Sequence, residues 1–255
     1  EQRPLILITN DDGYQSKGIK ALIDSVRELG DIVVVAPDGP RSGMSSAISS
    51  LNPLRVHLVK EEKNVKIYAC TGTPVDCVKL GISEIVGRKP DILLSGVNHG
   101  SNASICIVYS GTMGAAIEGC IFKVPSIGFS LLDHHYDADF EPSKGYIYSI
   151  TEKVLKDGLP TGTCLNVNIP TGTDLKGIKI CRQTAGQWVE EFMPSKDGSN
   201  KEVYWLTGRF HNDEPDDQAT DEWALAQGYV AIVPTKIDMT NHEYIGQIQD
   251  WESLM

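Results

Sequence analysis

The 255-residue chain has no long apolar run. Leu5-Ile6-Leu7-Ile8 and Ile32-Val33-Val34-Val35-Ala36 are typical of its longest, far short of the ~18 residues at which a membrane span is first suspected. It also lacks any Lys/Arg-rich stretch: 23 basic residues against 34 acidic ones leave a net charge of −11, without the basic footprint that a protein coating nucleic acid needs. Cysteine is sparse, with six residues and no CxxC pair, so a reducing compartment is expected. No basic region, apolar core and small-residue cleavage site precede the first apolar run at Leu5, and a cytoplasmic location is expected. HExxH spacing is missing, GxGxxG does not follow the first strand, and GxxxxGK[ST] is absent. Zincin proteases, dinucleotide oxidoreductases and ATP-hydrolysing P-loops therefore lack support.

What is present is an alternation of short β-branched runs with longer amphipathic segments, the pattern of βαβ units around a parallel sheet. It predicts strands over 5–9, 32–37, 56–59, 65–71, 91–95, 125–130, 165–169 and 178–180, and helices over 16–29, 74–86, 111–122 and 144–156. Residues 187–208 mix Trp, Tyr, Lys and Gly without periodicity and read as hairpin and loop; 211–221, rich in Asp and Glu, reads as solvated or interface surface. A short helix over 220–227 and a strand over 228–234 follow, the strand either rejoining the sheet or pairing with another subunit. The expected fold is α/β, a Rossmann-like, mostly parallel sheet flanked by helices, with a smaller hairpin-rich oligomerisation lobe. The expected division is 1–185 for the metal- and phosphate-binding core and 186–255 for hairpin, loop and C-terminal region.

Polar, glycine-containing loops follow the strands where open α/β sheets place their ligands. Asn10-Asp11-Asp12-Gly13 follows the first strand; adjacent carboxylates in a cleft repel each other unless a cation neutralises them. A turn that caps the next helix explains the same letters. Ala36-Pro37-Asp38-Gly39-Pro40-Arg41-Ser42-Gly43 follows the second strand, offering the Ser42 hydroxyl and Arg41 donors. Ser95-Gly96-Val97-Asn98-His99-Gly100-Ser101-Asn102 supplies carboxamide oxygens suited to Mg²⁺ or Mn²⁺. Tyr109-Ser110-Gly111-Thr112 opens a helix whose free N–H groups and hydroxyls make a phosphate seat. The donors are oxygens throughout, against a structural zinc site. His99 reads either as a donor to phosphate or leaving oxygen or as a loop-ordering residue, and His134-His135 as a polar loop. Cys70, Cys77 and Cys120 read as small buried side chains and Cys106 as a loop cysteine with nothing to activate it, and Trp188, Trp205, Phe192 and Tyr204 as either a base-stacking wall or an oligomer interface.

NDDG at 10–13, APDxxRSG at 36–43, SGxNxGxN at 95–102 and YSGTxGAAxEG at 109–119 together resemble the SurE family, stationary-phase survival proteins that act as metal-dependent nucleotidases and acid phosphatases. Asp221, Ala224-Leu225 and Gly228-Tyr229-Val230 resemble the family's later segment and carry the likeness through nearly the whole chain. The resemblance implies that Asp11, Asp12, Ser42 and Asn98 hold one divalent cation, Mg²⁺ or Mn²⁺. It also implies a homodimer or homotetramer built through an extended hairpin and exchanged C-terminal elements. Two departures stand out: Ser104 occupies a position usually glycine in the family pattern, and Val233-Pro234-Thr235 matches it loosely.

The expected reaction is hydrolysis of a phosphate monoester, foremost a nucleoside 5'-monophosphate, with Asp11, Asp12, Asn98, Ser110 and Thr112 catalytic and Asn10, Ser42, Ser110, Gly111 and Thr112 on the phosphate. No nucleic-acid or membrane partner is expected. Alternatives are a nucleotide-sensing module without catalysis, or a phosphatase for other phosphate esters or short polyphosphate. A covalent aspartyl-phosphate enzyme would want DxDx[TV] after the first strand, whereas Asp11 and Asp12 stand side by side.

Overall fold

The computed structural model describes residues 3–254. In chain order its elements are β1 (Leu5–Thr9), α1 (Lys17–Val26), β2 (Asp31–Pro37), β3 (Val56–Glu62), β4 (Val65–Cys70), α2 (Pro74–Leu80), β5 (Ile92–His99), α3 (Gly111–Ile121), β6 (Ser126–Leu131), α4 (Lys144–Asp157) and β7 (Thr163–Ile169). Then come β8 (Ile178–Ile180), β9 (Gly186–Val189), β10 (Phe192–Lys196), β11 (Glu202–Leu206), β12 (Arg209–Asn212), α5 (Asp221–Ala226), β13 (Val230–Lys236) and α6 (His242–Ile245).

Nine strands form one sheet in the order β3-β4-β2-β1-β5-β6-β7-β13-β8. Its pairings are parallel except β3 with β4 and β13 with β7. The return strand β13 thus rejoins the sheet, between β7 and β8. The protein has the α/β architecture, with hairpins β9–β12 and β10–β11 outside the main sheet.

Strand alternation divides the core. Ile6 and Ile8 face α1 and α4, packing with Ile19, Leu22, Ile147 and Val154, while Leu7 faces the opposite layer with Val35, Leu93, Val78 and Ala115. In α1, Ile19, Leu22, Ile23 and Val26 recur at helical spacing and are all buried. The Ser16 hydroxyl caps that helix by accepting the Ile19 N–H. Thr73 and Asp76 form a capping box on α2, with Pro74 in the first turn. The helix expected over 74–86 leaves α-geometry at Leu80 and continues as a π-turn over Gly81–Ile85.

Two relationships position the site. β1 lies between β2 and β5, so the chain runs outward to opposite sides of β1 and its carboxyl end faces the crevice where such sheets bind ligands. β5 also continues past the expected end at 95 to His99, with a register shift against β6 between Ser95 and Asn98. Gly96 makes that extension possible: its φ is +130°, and a Cβ there would stand 2.3 Å from the Phe129 carbonyl oxygen.

Among the described residues, no helix is long and apolar enough to cross a membrane. All six cysteines are free thiols, and five are buried; Cys106 is half-buried.

Candidate active site

Asp11 stands two residues past the end of β1 and is 4% exposed. Its Oδ1 accepts the Thr112 hydroxyl at 2.7 Å. Burial, and next the charge of Asp12, push its carboxyl up from 3.8 to about 6, against the Thr112 hydroxyl that holds it down. Burial likewise pushes Asp12 up, opposed by the His99 backbone N–H, which donates to Asp12 Oδ2 at 3.3 Å. Neither acid makes an ion pair with Lys or Arg among the described residues. Two adjacent carboxylates, both pushed toward the neutral form by burial and without a basic partner, would be stabilised in their charged form by a cation.

The next two loops bring the remaining donors. The Arg41 N–H donates to the Asp11 carbonyl at 2.6 Å, and Ser45 is bound to the Tyr109 and Val108 carbonyls, so the loop after β2 is fastened across the acid pair. Ser42, exposed, lines the cleft there with Asp11. The Arg41 guanidinium turns to Asp38 and the Thr71 carbonyl. Asn98 donates Nδ2–H to the Gly100 carbonyl at 2.8 Å, and its Oδ1 accepts no hydrogen bond among the described residues. Two carboxylates, a hydroxyl and a carboxamide oxygen form an oxygen-only set, the donor chemistry of a hard divalent cation. No group of three or more His, Cys, Asp or Glu fit to hold a metal occurs among the described residues, so any cation here depends on the neutral oxygens of Ser42 and Asn98.

Ser110 is the N-cap of α3; its Oγ accepts the Met113 N–H at 3.0 Å, leaving the Gly111 and Thr112 amides at an uncommitted helix start. A Cβ at Gly111 would stand 3.0 Å from Asp11 Cβ, which shows how closely the acid packs on this helix end.

Asn10 is not brought to the cleft. Fully buried, it donates from Nδ2 to the Gly13 carbonyl and Ser16 Oγ, both at 2.9 Å, and accepts the Gly13 N–H. It is an internal clasp for the Asp11-Asp12 turn. Asn102 is also committed, its Nδ2 on Ser130 Oγ and its backbone bonded to the Asn166 and Asn168 side chains. The His99 ring meets the His135 carbonyl through Nδ1 at 2.9 Å and the Phe140 ring edge-on, which leaves Nε2 as its remaining nitrogen.

The cleft encloses about 520 Å³. Asp11, Ser42, Asn98 and Ser110 line it, joined by Trp188, Glu191, Leu206 and Thr207 from the hairpin segment. Of the four aromatic residues singled out in the sequence, only Trp188 reaches it. Phe192, Tyr204 and Trp205 lie on the β10–β11 hairpin, each more than 60% exposed. Asp221 contradicts the expectation of solvated or interface surface over 211–221: it is 1% exposed. Its partners come from segments remote in sequence, so local composition could not reveal them.

A family model described as Survival protein SurE matches residues 6–190. A 5'-nucleotidase SurE of Phocaeicola vulgatus is 51% identical over 251 residues, spanning 98% of both chains. Its counterpart from Bacteroides thetaiotaomicron is 49% identical over 250 residues, covering 98% of this chain and 96% of the relative. The crystal structure of the SurE protein from Aquifex aeolicus superposes with a TM-score of 0.84 at 38% identity, covering 98% of this chain and all of that one. The motif-bearing loops, the sheet that gathers them and these likenesses across nearly the full length agree: the chain belongs to the SurE family.

Proposed function

We propose that the protein is a metal-dependent phosphomonoester hydrolase, a 5'-nucleotidase that converts a nucleoside monophosphate and water into nucleoside and phosphate. The observation that carries this reading is the meeting of the Asp11–Asp12 pair with Ser42, Asn98 and the start of α3 at the carboxyl ends of β1 and β5. The relatives' name, 5'-nucleotidase SurE, supports it.

Asp11, Asp12, Ser42 and Asn98 would hold the cation. When bound, Mg²⁺ or Mn²⁺ would polarise a phosphoryl oxygen and lower the pKa of water. The Gly111 and Thr112 amides, at the positive end of an 11-residue helix, stabilise negative charge on the phosphoryl oxygens. Thr112 keeps Asp11 aligned through its hydroxyl. His99, fixed through Nδ1, presents Nε2 to a leaving oxygen. The Trp188 ring, which lines the same cleft, offers a surface for the nucleoside. The exposed apolar residues of β10–β11, with Tyr244, Ile245 and Trp251 near the C-terminus, support assembly into a homodimer or homotetramer. We place that assembly in the cytoplasm.

The test is phosphate release from nucleoside monophosphates, other phosphate esters and short polyphosphate, in EDTA, Mg²⁺ and Mn²⁺, by wild type and Asp12→Asn. Metal-dependent release by wild type that falls more than about 100-fold in the variant, as loss of a charged site group predicts, supports the reading. Nucleotide binding without release by folded, metal-supplied protein would replace it with a sensing module.

A further inference from the structure

Asp221 is the N1 residue of α5, 117 positions from Ser104 and 37 from Thr184, yet its carboxylate joins all three segments. Oδ2 accepts the Ser104 N–H at 2.8 Å. Oδ1 accepts the Thr184 N–H at 3.0 Å, the Thr184 hydroxyl at 2.6 Å and the Glu222 N–H at 2.9 Å. The Ser104 hydroxyl closes the ring by donating to the Thr184 carbonyl at 2.8 Å. Asp221, Ser104 and Thr184 are each 1% exposed. Hydrogen bonds to a buried carboxylate are stronger than neutral ones and costly to break.

Both segments held by this clamp lead into the cleft. Ser104 begins the 3₁₀ turn Ser104–Tyr109, which delivers Ser110 and the start of α3. Thr184 stands two residues before β9, which carries Trp188. Inside the cleft the two meet again, where Cys106 of the 3₁₀ turn and Trp188 of β9 both line the cavity. Ser104 has φ +53°, in the left-handed region that favours glycine. The clamp explains how serine stands at this position: its amide and hydroxyl are both captured, which offsets the backbone cost.

We propose that Asp221 is a positioning residue, fixing the root of the β9–β12 hairpin to the segment that enters α3 and so setting the distance between the phosphate end of the cleft and the Trp188 wall. The inference rests on the nucleotidase reading for its consequence, since only a substrate long enough to touch both ends senses that distance. The phosphate end has further attachments, Thr112 to Asp11 and Ser45 to Tyr109; the hairpin wall depends more on the clamp.

The test compares wild type, Asp221→Asn and Ser104→Gly. In Asp221→Asn the amide cannot accept on both sides, so one half of the clamp is lost at nearly constant shape. Ser104→Gly keeps the left-handed backbone and removes only the bond to Thr184. Hydrogen exchange of amides 104–110 and 186–189 should accelerate together in both variants, by about tenfold or more in Asp221→Asn. KM for adenosine monophosphate should rise about tenfold in Asp221→Asn and about threefold in Ser104→Gly, with kcat within about twofold. For p-nitrophenyl phosphate, too short to span the cleft, kcat/KM should stay within about threefold. Unchanged or uncoupled exchange overturns the proposal, as does a parallel fall in kcat for both substrates, the mark of general structural damage. If wild type hydrolyses neither ester the nucleotidase reading fails, and the exchange data alone decide: coupled acceleration upholds the clamp and uncoupled exchange overturns it.

Discussion

Thr112 Oγ1 donates to Asp11 Oδ1 at 2.7 Å across 101 positions of chain, locking the start of α3 to one of the two adjacent acids. This bond opposes burial and the Asp12 charge, which together raise Asp11 to about 6. Thr112→Val removes the donor at nearly constant volume, so the Asp11 carboxyl must rise further and less of it is ionised at pH 6. The variant should lose about tenfold in kcat/KM at pH 6 and recover most of it by pH 8. An acidic limb unmoved in the pH profile would disprove the coupling.

Asp11 also makes the metal-free protein pH-dependent in stability. Its folded value, about 6, lies above its ordinary 3.8, so the folded state binds this proton more tightly than the unfolded chain. Its contribution therefore weakens as pH rises from about 4 through about 6, because the buried group must then ionise. Asp11→Asn removes that cost, and its amide oxygen still accepts from Thr112. In EDTA, urea denaturation should find the variant more stable by on the order of 2–3 kcal/mol at pH 7, with the gain vanishing below about pH 4. A destabilised variant at pH 7 would contradict this.

Gly96 tests the geometry of the Asn98 loop. With φ +130° and a Cβ position 2.3 Å from the Phe129 carbonyl oxygen, Gly96→Ala should cost about 3 kcal/mol in chemical denaturation and weaken Mn²⁺ binding. Gly39→Ala, where a Cβ meets nothing within 4 Å, should change stability by less than about 0.5 kcal/mol.

Cys106 lines the cleft and is the one cysteine of six that is not buried. Burial still raises its thiol above the ordinary value. A disulfide reagent should therefore titrate one thiol in the native protein, faster above pH 9 than at pH 7, and six after denaturation. A bound nucleotide should slow that reaction; indifference to nucleotide would remove Cys106 from the occupied part of the cleft.

Much of the fold was legible because its signals are local. Buried parallel strands need continuous β-branched runs, as at Ile32–Val35, and amphipathic helices need apolar residues at helical spacing, as at Ile19, Leu22, Ile23 and Val26. The strand end at His99 was not legible: Ser95, Gly96 and Asn98 have little strand propensity, and their extended shape comes from pairing beside β6. The hairpins over 186–212 carry no clean alternation, since many side chains on both of their faces remain exposed.

The same division holds at the site. The sequence by itself determined the oxygen-rich strand-end loops, their order and their family, because backbone turns and close approaches demand particular residues at fixed local spacing. Which of those residues converge was decided by the sheet order, which sets the loop after β1 beside that after β5, whereas Asn10 was turned inward to clasp its own loop. Asp221 passed in sequence for surface charge, and only the tertiary structure, by burying it among donors from Ser104 and Thr184, made it part of the cleft's frame. A buried carboxylate must find its hydrogen bonds wherever the folded chain supplies them, and those partners leave no local trace in the sequence.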